Sequence, residues 1–214
     1  MKEKILKDLE SLPYFTKRAL MVIENIKERA LSENIQRWIH HGFLIRLKNG
    51  LYVTKTYVDR SLHDTGYLEL IANKLVMPSY LSLDYILQKN GLLTEATYSI
   101  TSVTSKSTRQ YTNKLGTFTY STLHSKLYFG FKKVSYGKNA VYEAEIFKAL
   151  FDYFYLRLAG TNLESKEAIE ELRINWGNLN SGEFDNFCKT IEKNGTKKMA
   201  RIIPFLKEAY EHPH

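Results

Sequence analysis

Asn34, Gln36 and Arg37 fall within a few residues of one another, directly after Ser32. An asparagine or glutamine amide can make paired hydrogen bonds to adenine, and a guanidinium can do the same to guanine. Ile35, Trp38 and Ile39 alternate with them at helical spacing, so a helix beginning at Ser32 would bury the apolar set and leave the polar one outward. Arg46, Lys48, Asn49 and Lys55 follow, and Lys17 and Arg18 precede. Basic groups flanking a polar helix suit phosphate contact, which positions a protein on nucleic acid without reading sequence. The chemistry on offer is recognition of a polyanion.

Bond-breaking chemistry has no comparable constellation. Gly130 and Gly137-Lys138 lie too far apart for a phosphate-cradling loop, and Asn139 stands where a magnesium-binding Ser or Thr would be needed. The zinc-helix, nucleophile-elbow and dinucleotide fingerprints are missing from the sequence. Glu143/Glu145 and Glu170/Glu171 read as helix-start or surface charges. His40 and His41 precede Gly42 as helix-end residues, without metal-ligand spacing around them. A single cysteine, Cys188, excludes an internal disulfide and a thiolate cluster, and its apolar helical neighbours make it a small buried hydrophobe. No catalytic residue, metal or cofactor is expected, and the chain reads as a non-enzyme.

The elements that would position these groups follow from periodicity. Ile5, Leu6, Leu9 and Leu12 mark a short helix that stops at Pro13. Thr16 can cap a second helix carrying Ala19, Leu20, Val22 and Ile23, and Ser32 a third that ends near Gly42. Phe43–Leu47 and Leu51–Thr54 then read as strands around Lys48-Asn49-Gly50, an Asn-Gly turn whose residues both accept positive φ. Three helices and a hairpin give the winged helix-turn-helix order over residues 1–58.

Residues 56–66 read as a connector, followed by helices over Tyr67–Leu75 and from Ser82 to Gly91. Residues 97–143 are rich in Thr, Ser, Tyr and Val with recurrent turn signals, which predicts an antiparallel sheet of four or five strands. Helices are expected over 145–158, 164–174, 181–193 and 196–210, with Pro204 kinking the last or shifting its start. The fold class is α+β, a winged helix-turn-helix over 1–58 and a larger α+β domain over 59–214.

Charge is concentrated in the same places. The chain carries +8, and residues 1–60 hold 12 Lys/Arg against 7 Asp/Glu. Residues 97–143 hold seven basic groups, including Lys106, Arg109, Lys114, Lys126, Lys132 and Lys133, against one acid, Glu143. Tyr98, Tyr111, Phe118, Tyr120, Tyr128 and Tyr136 interleave with them and read mainly as the sheet's buried face, while the lysines form a second basic surface. No apolar run is long enough to cross a bilayer and Lys2, Glu3, Lys4, Lys7 and Asp8 break any leader-like run, so the cytoplasm is the expected compartment.

Three stretches together resemble the AbiEi antitoxins of type IV abortive-infection toxin–antitoxin systems. They are Ile45-Arg46-Leu47-Lys48-Asn49-Gly50-Leu51-Tyr52; Pro78–Leu87 running to Gly91–Glu95; and Ile100–Lys106 with Gly116–Tyr120 and Ala144–Asp152. Ile146 stands where that family usually has proline. The resemblance spans residues 10–160 and implies a two-part protein. An N-terminal domain would repress its own operon by binding inverted repeats in double-stranded DNA, with two copies or a homodimer on the site. A C-terminal domain would oppose a nucleotidyltransferase-like toxin without a stable complex. The chain has no Gly-Ser dipeptide, with which the toxin's own signature begins. Two other readings stay open: a DNA-binding regulator whose C-terminal domain senses a ligand or partner, and an RNA-binding protein using the basic sheet.

Overall fold

The computed structural model describes residues 3–24, 27–61, 63–94, 99–161 and 163–212, with side chains from residue 7 onward and without that of residue 24. Tyr98 and the side chains of Ile5 and Leu6 lie outside the described residues.

Helix α1 spans Glu3–Glu10, ahead of Pro13. Strand β1 (Phe15–Thr16) leads into α2 (Lys17–Glu24), which Thr16 caps by accepting from the Ala19 amide at 3.1 Å. Helix α3 spans Glu28–His40, so Ser32 is not its cap. Ser32 sits one turn inside and its hydroxyl donates back to the Glu28 carbonyl at 2.8 Å. Leu31 is fully buried with Ile35 and Trp38, which extends the apolar stripe a turn earlier. Burial of that stripe, rather than capping, sets where the helix begins.

Strands β2 (Leu44–Lys48) and β3 (Leu51–Thr54) form the expected hairpin, and β1 adds to β3 to give the order β1-β3-β2. The turn differs from expectation. Only Gly50 takes positive φ (78°), Asn49 does not, and the register shifts between Arg46 and Lys48. This is a bulged turn resting on a left-handed glycine, and the extra residue swings Lys48 off the ladder's alternation.

The hairpin is buried on both faces. Leu44 and Tyr52 join Leu9, Phe15, Leu20, Leu31, Ile35 and Trp38 in one core. Ile45, Leu47, Leu51 and Val53 join the larger core of the remaining chain. All of β3 is consequently buried, a two-sided burial that strict alternation of apolar and polar residues would not produce.

Residues 56–66 are not a plain connector. Helix α4 (Lys55–Ser61) forms there, capped by Thr54, whose hydroxyl accepts from the Tyr57 amide at 3.2 Å, and it buries Val58. Asp64 then caps α5 (Thr65–Leu75). After the Met77-Pro78 break comes β4 (Ser79–Leu81), then α6 (Asp84–Lys89). Ser82 does not start that helix; its buried hydroxyl donates to Asp152 at 2.8 Å.

Strands β5 (Ser99–Thr104), β6 (Arg109–Asn113), β7 (Gly116–Thr122), β8 (Phe131–Tyr136) and β9 (Asn139–Ala144) complete a sheet of order β6-β7-β5-β4-β9-β8. It is mixed, not antiparallel: β5 pairs parallel with β7, and β4 parallel with β9. The short β4 enters the middle of the sheet from outside the 97–143 segment, and β6 folds back on the outer side of β7. Helices α7 (Ile146–Arg157), α8 (Lys166–Glu170), α9 (Ser181–Asn194) and α10 (Lys197–Glu211) follow. Helix α8 is shorter than the expected 164–174, and α10 runs through Pro204 from a Thr196 cap.

One buried network ties the centre of the sheet to α7. Asp152 accepts from the Tyr80 hydroxyl at 2.9 Å and from Ser82 at 2.8 Å, and its other oxygen pairs with the Lys148 ammonium. That ammonium lies 5.0 Å from the ring centres of Phe129 and Phe151. Burial pushes the Lys148 pKa down and the Asp152 pKa up, the direction desolvation imposes on each charge. Gly130 packs against this network. A Cβ there would stand 3.0 Å from the Lys148 stem, at a φ of 68° that favours glycine.

The buried phenols carry a pH dependence. Burial raises Tyr67, Tyr80 and Tyr120 well above the ordinary value of 10.0, and Tyr128 to about 12. Their stabilising contribution is complete below pH 10 and is lost as pH climbs toward the folded values, because only the unfolded chain then releases the protons. Urea midpoints should therefore fall above pH 10, by about 1.4 kcal/mol per pH unit for each phenol held protonated. The share of tyrosinate absorbance that belongs to these buried phenols should appear only with unfolding; ionisation of all 15 tyrosines in the folded protein at pH 11 would contradict this.

Candidate nucleic-acid interface

Helix α2 starts beside the hairpin turn, where the Lys17 amide donates to the Gly50 carbonyl at 2.9 Å. Helix α3 crosses against β2. Between them opens a cleft of about 140 Å³ lined by Lys17, Ser32, Ile35, Gln36, Arg46, Asn49 and Tyr52. The structure thus brings together five of the polar residues singled out from sequence, from α2, α3 and the hairpin.

Their electrostatic states differ. Arg46 is exposed, and among the described residues it has no carboxylate partner. Lys17 pairs with Glu28 at 2.8 Å, which holds the Glu28 carboxyl below its ordinary range. Gln36 is exposed on the α3 surface. Arg37 is also exposed, with a guanidinium hydrogen-bonded to the half-buried Asn34. Arg18 is exposed on α2, and Lys55 pairs with Asp59 at 2.6 Å on α4. Ile39 is only half-buried, against the smaller core.

Lys48 departs from its expected place. The bulge turns it toward the larger unit, where its ammonium donates to the Leu75 carbonyl at 2.6 Å. Burial lowers its pKa, and nearby Lys106 and Arg109 push in the same direction. Asn113 of β6 donates to the Leu47 carbonyl at 3.1 Å in the same junction. Lys48 is a clamp between the hairpin and the larger unit, which leaves Arg46 as the exposed basic side chain of β2.

The second basic surface divides in two. Lys106, Arg109 and Lys114 lie around β6, at one edge of the sheet, whereas Lys132 and Lys133 lie on β8 at the other. Six strands at about 4.8 Å spacing put roughly 24 Å between those edges. Lys126 sits in the short turn of helix at Ser125–Leu127. Phe118 and Tyr120 are buried in the core, and Tyr111, Tyr128 and Tyr136 are partly buried against it. None of these five aromatics is exposed, whereas Tyr142 of β9 is.

Glu143 is another correction. It is buried, not a solvated helix-start charge, and Lys89 holds it at 2.7 Å together with Glu69 at 2.8 Å. Sequence spacing could not reveal this because the three groups come from β9, α6 and α5. Cys188 is buried, and its thiol is raised to about 11 by burial. Among the described residues no three His, Cys, Asp or Glu side chains gather as a metal site, and no helix is long and apolar enough to cross a membrane.

Comparison with protein-family models finds none that matches the chain, and no curated protein matches it.

Proposed function

We propose that residues 1–58 form a winged helix-turn-helix that binds double-stranded DNA. Helix α3 enters the major groove, with Gln36 and Arg37 toward base edges, while Arg46, Lys17 and Arg18 hold phosphates. The observation that carries this is the cleft in which Gln36 of α3 meets Lys17, Arg46 and Asn49 on the outer side of the same small core. A groove-sized helix flanked by cations from two other elements is what duplex recognition requires, and +8 overall favours a polyanion. The resemblance of the sequence extends this to an AbiEi-like autorepressor and antitoxin, opposing a nucleotidyltransferase-like toxin.

Gel shifts on the chain's own promoter DNA test the first part. Affinity should fall steeply with salt, with a log–log slope near −3 for about three phosphate contacts. Arg46→Ala should weaken all duplexes alike, about tenfold. Gln36→Ala should lose about 1–3 kcal/mol of discrimination at one base pair while leaving the salt slope unchanged. Salt-independent or absent duplex binding by the wild-type chain would refute the reading. Growth rescue on co-expression with the adjacent gene's product tests the antitoxin part separately.

A further inference from the structure

Between the end of α5 and the β8–β9 edge of the sheet lies a pocket of about 350 Å³, within the size range of small-molecule sites. Its walls are apolar: Met77, Pro78, Tyr128, Phe131 and Tyr142. Two of these are unusually open for large apolar residues, Met77 at 59% and Tyr142 at 41% exposure. The aromatic rings meet edge to face, Tyr128 with Phe131 at 5.1 Å and Phe131 with Tyr142 at 6.1 Å, giving a formed wall.

The polar groups in the wall decide what could enter. Asn73 is committed at both ends of its amide to the Tyr142 backbone, at 3.2 and 2.7 Å. Ser79 donates to the Val76 carbonyl at 2.6 Å. Lys74 is the charged residue lining the pocket; its ammonium rests 5.6 Å from the Tyr14 ring centre and, among the described residues, has no carboxylate within ion-pair reach. Asn73 and Ser79 are thus taken, and what distinguishes an anion from a neutral ligand here is the uncompensated cation beside a largely apolar wall, with the phenols of Tyr128 and Tyr142 open to either.

We propose that this pocket binds a small organic acid, an apolar ring or branched body carrying one carboxylate, with Lys74 as its counter-ion. The site adjoins two of the joints that tie the N-terminal unit to the larger one. Lys74 holds Tyr14, and the next residue's carbonyl receives Lys48 from the hairpin. A bound acid drawing Lys74 from Tyr14 would loosen that joint.

Isothermal titration of the full chain with 3-phenylpropionate, and with 3-phenylpropanamide as its neutral counterpart, tests the site without DNA. The acid should bind with sub-millimolar affinity and the amide about tenfold more weakly. Lys74→Met should erase the preference for the acid, and Ala140→Phe, which fills the pocket, should block both probes. Melting curves establish that each variant is folded; Lys74 is half-buried and methionine keeps most of its apolar stem, so Lys74→Met decides the matter if Ala140→Phe does not fold. Equal binding of acid and amide, an unchanged preference in Lys74→Met, or no binding of either probe would overturn the proposal.

Discussion

Replacing Asp152 with alanine is expected to destabilise the chain by about 3–5 kcal/mol, the cost of leaving a buried ammonium unpaired. At this chain length that corresponds to a melting temperature lower by roughly 10 °C. Lys148 is fully buried, so it has no water to replace its partner. Tyr80 and Ser82 lose their acceptor at the same time. The double variant Lys148→Met/Asp152→Leu should recover only part of the loss, because it removes the desolvation penalty of both charges but still leaves Tyr80 and Ser82 without their acceptor. Thermal melts of Lys148→Met, Asp152→Leu and the double variant form a cycle. A single variant within about 1 kcal/mol of wild type would mean that the pair is solvated.

A fragment ending at residue 58 is expected not to fold alone. Ile45, Leu47, Leu51, Val53 and Val58 are buried in the larger unit's core, and cutting there exposes all of them. Each buried side chain of this kind contributes roughly 1.5–3 kcal/mol, so the loss rivals the whole stability of a small domain. The polar ties go as well: Lys48 to the Leu75 carbonyl, Asn113 to Leu47, and the Tyr67 hydroxyl to the Pro13 carbonyl at 3.0 Å. Circular dichroism and amide dispersion in NMR would measure this. A fragment with dispersed amides and a cooperative melt would show that the small core of Leu20, Leu31, Ile35 and Trp38 suffices.

The same shared hairpin shapes how the proposed interface works. In a free-standing wing, both the tip and one face would be open to the nucleic acid. Here the tip's lysine and the inner face are engaged by the larger unit. Arg46 remains outward because its position on β2 faces the α3 cleft, while its neighbours Ile45 and Leu47 face the larger core. The proposed DNA contact and the attachment to the larger unit therefore lie on opposite faces of one two-stranded element.

Sequence by itself determined the order of the N-terminal helices and the hairpin, the α+β class, and the outward placement of Gln36, Arg37 and Arg46, because helix and strand periods are local properties of the chain. It also pointed to Thr16 as a cap and to Cys188 as a buried hydrophobe. Tertiary structure alone decided the rest. Ser32 moved inside α3 because Leu31 had a core to join; Lys48 became a clamp because a bulge aimed it at a carbonyl from α5; and the basic sheet residues parted because strand order sends β6 and β8 to opposite edges. The Lys148–Asp152–Tyr80 network joins residues up to 72 positions apart, and such pairings arise from packing that no local window contains.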